Sequence, residues 1–284
     1  MNSFEHIRAL LPSEARAAIR SGAYTRHTAG LAAGYLQANL VVLREVHALD
    51  FARFCQRNPK PCPVVGMTDA GSPQFRTLGR DVDLCRDVPS YNIYENGRIT
   101  ATVPDISSYW KEDHVGFALG CSFTFETALI AAGIPVRHID ADTTVPMYRT
   151  SIELTPAGPF GGTMVVSMRP IPRDRVAEAI AISSKFPLAH GAPVHTGSPG
   201  EIGIRDLAAP DWGDSVDIKP DEVPCFWACG VTPQAALLSA NLPLVITHTP
   251  GHMLITDVPE TAEIPVIQPN QKNAETFQPL SRGD

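Results

Sequence analysis

Long apolar runs are missing from this 284-residue chain. None reaches the roughly 18 residues that a membrane-spanning helix needs, so no membrane partner is expected. Positive charge is also short. Lys and Arg number 23 against 30 Asp and Glu, for a net charge of −7 without a basic stripe. Nucleic acid is therefore not an expected partner. The six cysteines, Cys55, Cys62, Cys85, Cys121, Cys225 and Cys229, form no C-x-x-C pair and no zinc spacing. They read as free thiols, most of them small buried apolar residues. The start, MNSFEHIRALL, lacks a basic n-region and a long apolar h-region, so no secretory signal and a cytoplasmic location are expected. No common catalytic motif, internal repeat or low-complexity block is evident.

What remains is ordinary in bulk and unusual in detail. Hydrophobic residues make up 44%, enough for a sizeable core. Charged residues at 19% and 26 prolines suggest a compact, loop-rich enzyme. Ser13 is placed to cap a helix over 14–20, closed by Gly22. Leu36, Leu40, Leu43, Val46, Leu49 and Phe54 predict a helix over 36–56, ended by Asn58-Pro59-Lys60-Pro61. Residues 63–67 predict a short strand. Asn96-Gly97 predicts a hairpin between 90–94 and 98–103. A helix is expected over 123–132, strands over 149–154 and 162–168, and a helix over 173–185. Strands at 225–229 and 244–247 around a helix at 233–240 suggest a parallel crossover. From Pro265 the chain reads as an extended polar tail. The expected fold is α/β and two-lobed. A mixed-sheet main domain of 1–114 and 188–284 carries a smaller inserted α+β subdomain at 115–187, with a site in the cleft between them.

Reactive side chains gather beside Gly and Pro in three stretches: GFALGCSFTFE from Gly116, LAHGAPVHTGSP from Leu188, and DEVPCFWACGVTPQ through ITHTPGHMLIT from Asp221. Cys121 follows Gly120 at the start of a helix, where the dipole would depress a thiol pKa; the other reading is a packed, inert Cys. Glu126 is a general-base candidate with a raised pKa among apolar neighbours, or a helix carboxylate paired with an Arg. Cys229 ends a strand and leads through Thr232 and Gln234 into a helix, where α/β folds bind ligands. Thr232 as a mere N-cap and Gln234 as an ordinary helix residue are the plainer readings, and Cys225 reads as core. His248 and His252 flank Pro250-Gly251, and His190 and His195 bracket Gly191-Ala192-Pro193. Four His in two Gly/Pro loops favour a role in a crevice. Arg169, and with it Arg149 and Arg137, offers a fork for a substrate carboxylate, or a salt bridge to Glu126, Glu153 or Asp140.

The words QANLVVL, FCQRNPKPCP, GFALGCSFTFE, VPMYRT, VSMRP, HGAPVHTG, FWACGVTPQ and ITHTPGHMLITD run from Gln37 to Asp257. Together they resemble the D-glutamate cyclase family of hydro-lyases. The resemblance implies an α/β fold with a smaller α+β subdomain. It also implies closure of D-glutamate, or a related amino dicarboxylic acid, to 5-oxo-D-proline with loss of water. It assigns no catalytic residues; those follow from the chemistry. Closing the lactam requires a proton off nitrogen, a proton onto the departing oxygen, and a folded substrate. Cys121, Glu126, Cys229 and His248 are the expected acid–base groups. Arg169, Arg149, His195, Thr232, Gln234 and His252 are the expected substrate contacts. No organic cofactor is called for, and a homodimer stays open. Two alternatives stand beside this reading. One is a metal-assisted hydratase or hydrolase of a small carboxylate using a divalent metal at His248 and His252. The other is a non-catalytic metabolite-binding protein.

Overall fold

The computed structural model describes residues 10–141 and 143–262. The N-terminal stretch MNSFEHIRA and the tail expected from Pro265 lie outside the described residues. Helix α1 (Pro12–Arg20) begins before Ser13: Leu11 is its cap, and the Leu11 N–H donates to Glu14 Oε2 at 2.9 Å. Strand β1 (Tyr35–Arg44) runs directly into α2 (Glu45–Arg57), so the single helix expected over 36–56 is corrected. The spacing of Leu36, Leu40 and Leu43 misled because every residue from Leu36 to Leu43 is buried. A strand covered on both faces is apolar throughout and carries no period-2 signal.

The chain continues through β2 (Val64–Met67) and the hairpin β3 (Tyr91–Glu95) and β4 (Arg98–Val103), which turns on Asn96 and Gly97, both at positive φ. Strand β5 (His114–Gly120) leads to α3 (Phe123–Ala131) and the short α4 (Arg137–Asp140). Then follow β6 (Met147–Glu153), β7 (Thr163–Pro172), α5 (Val176–Ser183), β8 (His195–Thr196) and β9 (Glu222–Ala228). Helix α6 (Val231–Ser239), β10 (Val245–His248) and β11 (Leu254–Pro259) complete the described chain. No described helix is long and apolar enough to cross a membrane.

The α/β character holds. Seven strands form one sheet in the order β2-β5-β1-β10-β3-β4, with β11 also on β1. Four form another, β6-β7-β9-β8. Every described strand pairing is antiparallel, which corrects the expected mixed sheet. It also corrects the parallel crossover, because β9 and β10 belong to different sheets. The four-stranded sheet takes β6 and β7 from within 115–187 and β8 and β9 from after it. Strand β5, at the start of that span, belongs to the larger sheet. One core joins the sheets: Val41, Leu43, Phe117 and Leu119 of the larger sheet with Tyr148, Val166, Met168 and Phe226 of the smaller. Phe51 of α2 closes it, edge-on to Phe117 at 5.0 Å and to Phe160 at 5.2 Å.

The strand order reveals a duplication, against the expectation of no internal repeat. The run β2-β5-β1-β10 matches β8-β9-β7-β6 strand for strand. Helix α2 links β1 to β2 as α5 links β7 to β8, and α3 follows β5 as α6 follows β9. The strand after each of these last helices crosses to the other half's sheet: β6 pairs with β7, and β10 with β1. Register agrees too. Asn39 lies opposite Leu119, two residues before Cys121, and Ser167 lies opposite Trp227, two before Cys229. With this alignment, residues 121–136 and 229–244 share Cys, Thr, Ala, Leu, Ala and Pro at matching places. Both helices are followed by a left-handed residue, Gly133 at φ 74° and Asn241 at φ 50°.

Candidate active site

The two equivalent strand-to-helix turns meet around one buried arginine. Arg169, on β7 and 1% exposed, directs its Nε to Glu126 Oε1 at 2.9 Å, and its Nη2 reaches the same oxygen. Its Nη1 donates to Ser167 Oγ at 3.0 Å and its Nη2 to Ser122 Oγ at 3.2 Å. The guanidinium carbon stands 5.1 Å from the Phe125 ring centre and 5.4 Å from that of Trp227, so aromatic faces cover the cation. His138 Nε2 approaches Glu126 Oε1 at 3.2 Å. Glu126 itself is 3% exposed. Burial pushes its pKa up, but Arg169 and then His138 outweigh burial and hold it at about 2. The raised pKa expected for Glu126 is thus reversed, because a cation rather than apolar side chains touches the carboxylate.

Cys121 and Cys229 sit just ahead of α3 and α6, at 6% and 7% exposure. The backbone N–H two residues on, Phe123 for Cys121 and Val231 for Cys229, favours each thiolate. Each feels Arg169 and Glu126, and Cys121 also feels Cys229. Burial nonetheless pushes Cys121 up to about 12 and Cys229 to about 11. The depressed pKa expected for Cys121 is therefore corrected: loss of solvation outweighs the helix N-terminus. Both thiols hold their protons at neutral pH.

His190 joins the group from the loop after α5. Its backbone is left-handed, φ 75°, an unusual state for a side chain of this size. Its Nδ1 lies 2.8 Å from the Lys60 carbonyl, which can only accept, so Nδ1 carries the proton and Nε2 the lone pair. That Nε2 is buried and has no hydrogen-bond partner among the described residues. Burial above all, with Arg169 and the Lys60 charge, and only partly offset by the Lys60 carbonyl, brings the imidazole pKa down to about 4. Gly120 is what lets this loop approach, since a Cβ there would stand 1.6 Å from the Leu188 carbonyl oxygen. The sequence marked His190 as one of four His in two Gly/Pro loops but left it out of the expected acid–base and substrate-contact residues. Ser122, Ser167 and His138 gave no signal beyond being polar residues in apolar runs.

The other expected residues lie in different settings. His248 is 1% exposed and fills the break between β10 and β11, where the Leu40 N–H donates to its Nδ1 at 3.1 Å and Gln234 Nε2 stands at 3.5 Å. Burial holds it at about 4, so it is neutral. Thr232 staples α6 to β7, its Oγ1 3.0 Å from both the N and the O of Val165. His195 is held by the Ser198 carbonyl at 2.8 Å, with its ring against Phe226 at 5.8 Å. His252 lies near the Pro250 carbonyl at 3.2 Å. Arg149 stacks over Trp212 at 4.6 Å and pairs with Asp211 at 3.4 Å, and Arg137 pairs with Glu222. Among the described residues no three His, Cys, Asp or Glu side chains group to hold a metal ion.

Comparison with known proteins covers the same segments. A family model described as D-glutamate cyclase matches residues 115–257, which contain Cys121, Glu126, Arg169, His190 and Cys229. A protein of Dinoroseobacter shibae named "Putative hydro-lyase" is 60% identical over 94% of this chain and 89% of its own length. Another of that name in Bacillus subtilis, YcsI, is 55% identical over 88% of this chain and 97% of its own. Among solved structures, a nitrogen repressor-like protein from Methanococcus jannaschii reaches a TM-score of 0.38 at 11% identity, over 84% of this chain and 96% of that one. That likeness is too slight to carry an argument.

Proposed function

This chain belongs to the D-glutamate cyclase family, and we propose that it is a lyase closing a small amino dicarboxylic acid, D-glutamate foremost, to its five-membered lactam with loss of water. The observation that carries the reading is the unpartnered His190 Nε2 in the field of the fixed Arg169 cation, which also acts on two protonated thiols. From an ammonium and a carboxylate, lactam closure takes two protons off nitrogen and delivers two to the departing oxygen, so it needs both a proton acceptor and a proton donor. A neutral imidazole with a free lone pair suits the first task. A thiol that keeps its proton at pH 7 suits the second. Glu126, ionised down to a pKa of about 2, is no proton donor; it neutralises and orients Arg169.

The substrate's negative charge has a natural counterpart in the N-termini of α3 and α6, whose first N–H groups lie beside the two cysteines. Ser122 and Ser167, held by Arg169, add hydroxyl groups at the same place. Folding the substrate so that its amine meets its own side-chain carboxyl supplies the remaining acceleration by proximity. The proposed chemistry uses the chain's own side chains and calls for no organic cofactor. The test is direct. Purified protein incubated with D-glutamate should yield 5-oxo-D-proline by NMR, with L-glutamate as the control. Binding of D-glutamate without any lactam would favour a metabolite-binding protein and overturn this reading.

A further inference from the structure

The duplication places Cys121 and Cys229 at the same point of the two halves. They agree in what surrounds the sulfur: a preceding strand, a following nine-residue helix, one N–H two residues on, and 6% and 7% exposure. Around them the halves have parted. Ser122 faces Gly230 in the alignment, Glu126 faces Gln234, and Arg169 of β7 faces Val41 of β1. Lactam closure involves one nitrogen and one oxygen, which differ in chemistry, and gives no reason for matched thiols. A carbon that loses a proton from one face and regains one on the other does give such a reason, because the two steps are mirror images.

We propose that Cys121 and Cys229 act as a two-thiol acid–base pair on opposite faces of a substrate α-carbon, so that this site also exchanges and inverts the α-hydrogen of small amino dicarboxylates or their lactams. The proposal shares the substrate class of the lactam reading but not its chemistry. One cysteine, as thiolate, takes the α-proton, and the C–H electron pair passes into the adjoining carboxyl group. The other, as thiol, gives its proton to the opposite face of the same carbon. No electron leaves or enters, and the two cysteines end with exchanged protonation states. As the substrate enters, one cysteine releases its proton to solvent; Arg169, joined by the α-ammonium where the substrate is an amino acid, favours the negative sulfur that burial otherwise resists.

The experiment follows D-glutamate, L-glutamate and 5-oxo-D-proline with the full chain in D2O. Proton NMR reads loss of the α-hydrogen, and chiral chromatography reads the enantiomers. At least one substrate should lose its α-hydrogen and yield the opposite enantiomer carrying deuterium. Cys121→Ser and Cys229→Ser, checked for folding by circular dichroism, should each slow exchange by ~10²-fold or more. Each should also bias it, so that one variant fails chiefly on one enantiomer and the other on its mirror image. Absence of α-exchange from all three substrates overturns the proposal. So does exchange without inversion in the unaltered protein, an outcome that needs no variant to fold. Lactam appears in the same spectra as a separate signal, so failure of the cyclase reading is seen independently.

Discussion

Glu126 and Gln234 stand at the same place in the two halves, each five residues after its cysteine, yet they meet different partners. Glu126 accepts from Arg169 at 2.9 Å, while Gln234 Nε2 lies 3.5 Å from a neutral His248. Glu126 thus makes a buried ion pair with an arginine of the other half, where Gln234 meets a neutral histidine.

Replacing Glu126 with Gln leaves Arg169 buried and uncompensated. Breaking a buried pair from one side costs about 3–5 kcal/mol, so the urea midpoint at pH 7 should fall accordingly. The sign with pH is fixed by the direction of the shift. The folded pKa of about 2 lies below the ordinary 4.5, so this stabilisation is present above pH 4.5 and is lost as pH falls through about 2. The gap between the wild type and Glu126→Gln should close over that window. A constant gap would show that charge is not what stabilises the contact.

His190 and His248 are neutral in the fold, with pKa values of about 4 against an ordinary 6.5. Between those values the unfolded chain binds more protons than the folded one, so stability falls as pH drops from 6.5 to 4. His190→Gln and His248→Asn should each flatten that decline by about one proton's worth of slope. Urea titrations at several pH values between 4 and 7 measure it. An unchanged slope in both variants would place the pH response elsewhere.

His190→Gln should also lower lactam formation by ~10²-fold or more, the usual loss when a proton acceptor is removed. Single-turnover measurements with D-glutamate separate this from weaker binding. Turnover within a few-fold of wild type would remove Nε2 from the proposed proton path.

Gly120→Ala sets a methyl group against the Leu188 carbonyl, at a distance no backbone tolerates. The loop carrying His190 must move. Stability should fall by about 1–3 kcal/mol, the range for overpacking, and turnover should fall with it. The same change at Gly200, which has no left-handed φ and whose nearest neighbour would be Ser198 Oγ at 3.9 Å, removes no such space and serves as the control.

Local chemistry was legible where it is decided locally. Asn96-Gly97 makes its hairpin because both residues accept positive φ, and Pro233 sits in the first turn of α6 as its missing N–H permits. The clusters around Cys121, Arg169, His190 and Cys229 stood out in the sequence as reactive residues beside Gly and Pro. Their partners did not. Arg169 had Glu126, Glu153 and Asp140 among its candidate mates, and only the crossing of α3 over β7 selects Glu126. The duplication lay in the sequence as sparse matches between 121–136 and 229–244, too few to register without the strand order.

The sequence by itself determined the α/β composition, the turns, the two helices that start after cysteines, and the residues rich enough in chemistry to matter. Those follow from short-range sterics and from side-chain type. Tertiary structure alone decided that Leu36 to Leu43 is a strand, because burial on both faces erases periodicity. It alone sent β6 and β10 into each other's sheets. It alone set the sign of each pKa shift, because a carboxylate among phenylalanines and a carboxylate on a guanidinium look alike in sequence, and solvation and charge at a few ångströms tell them apart.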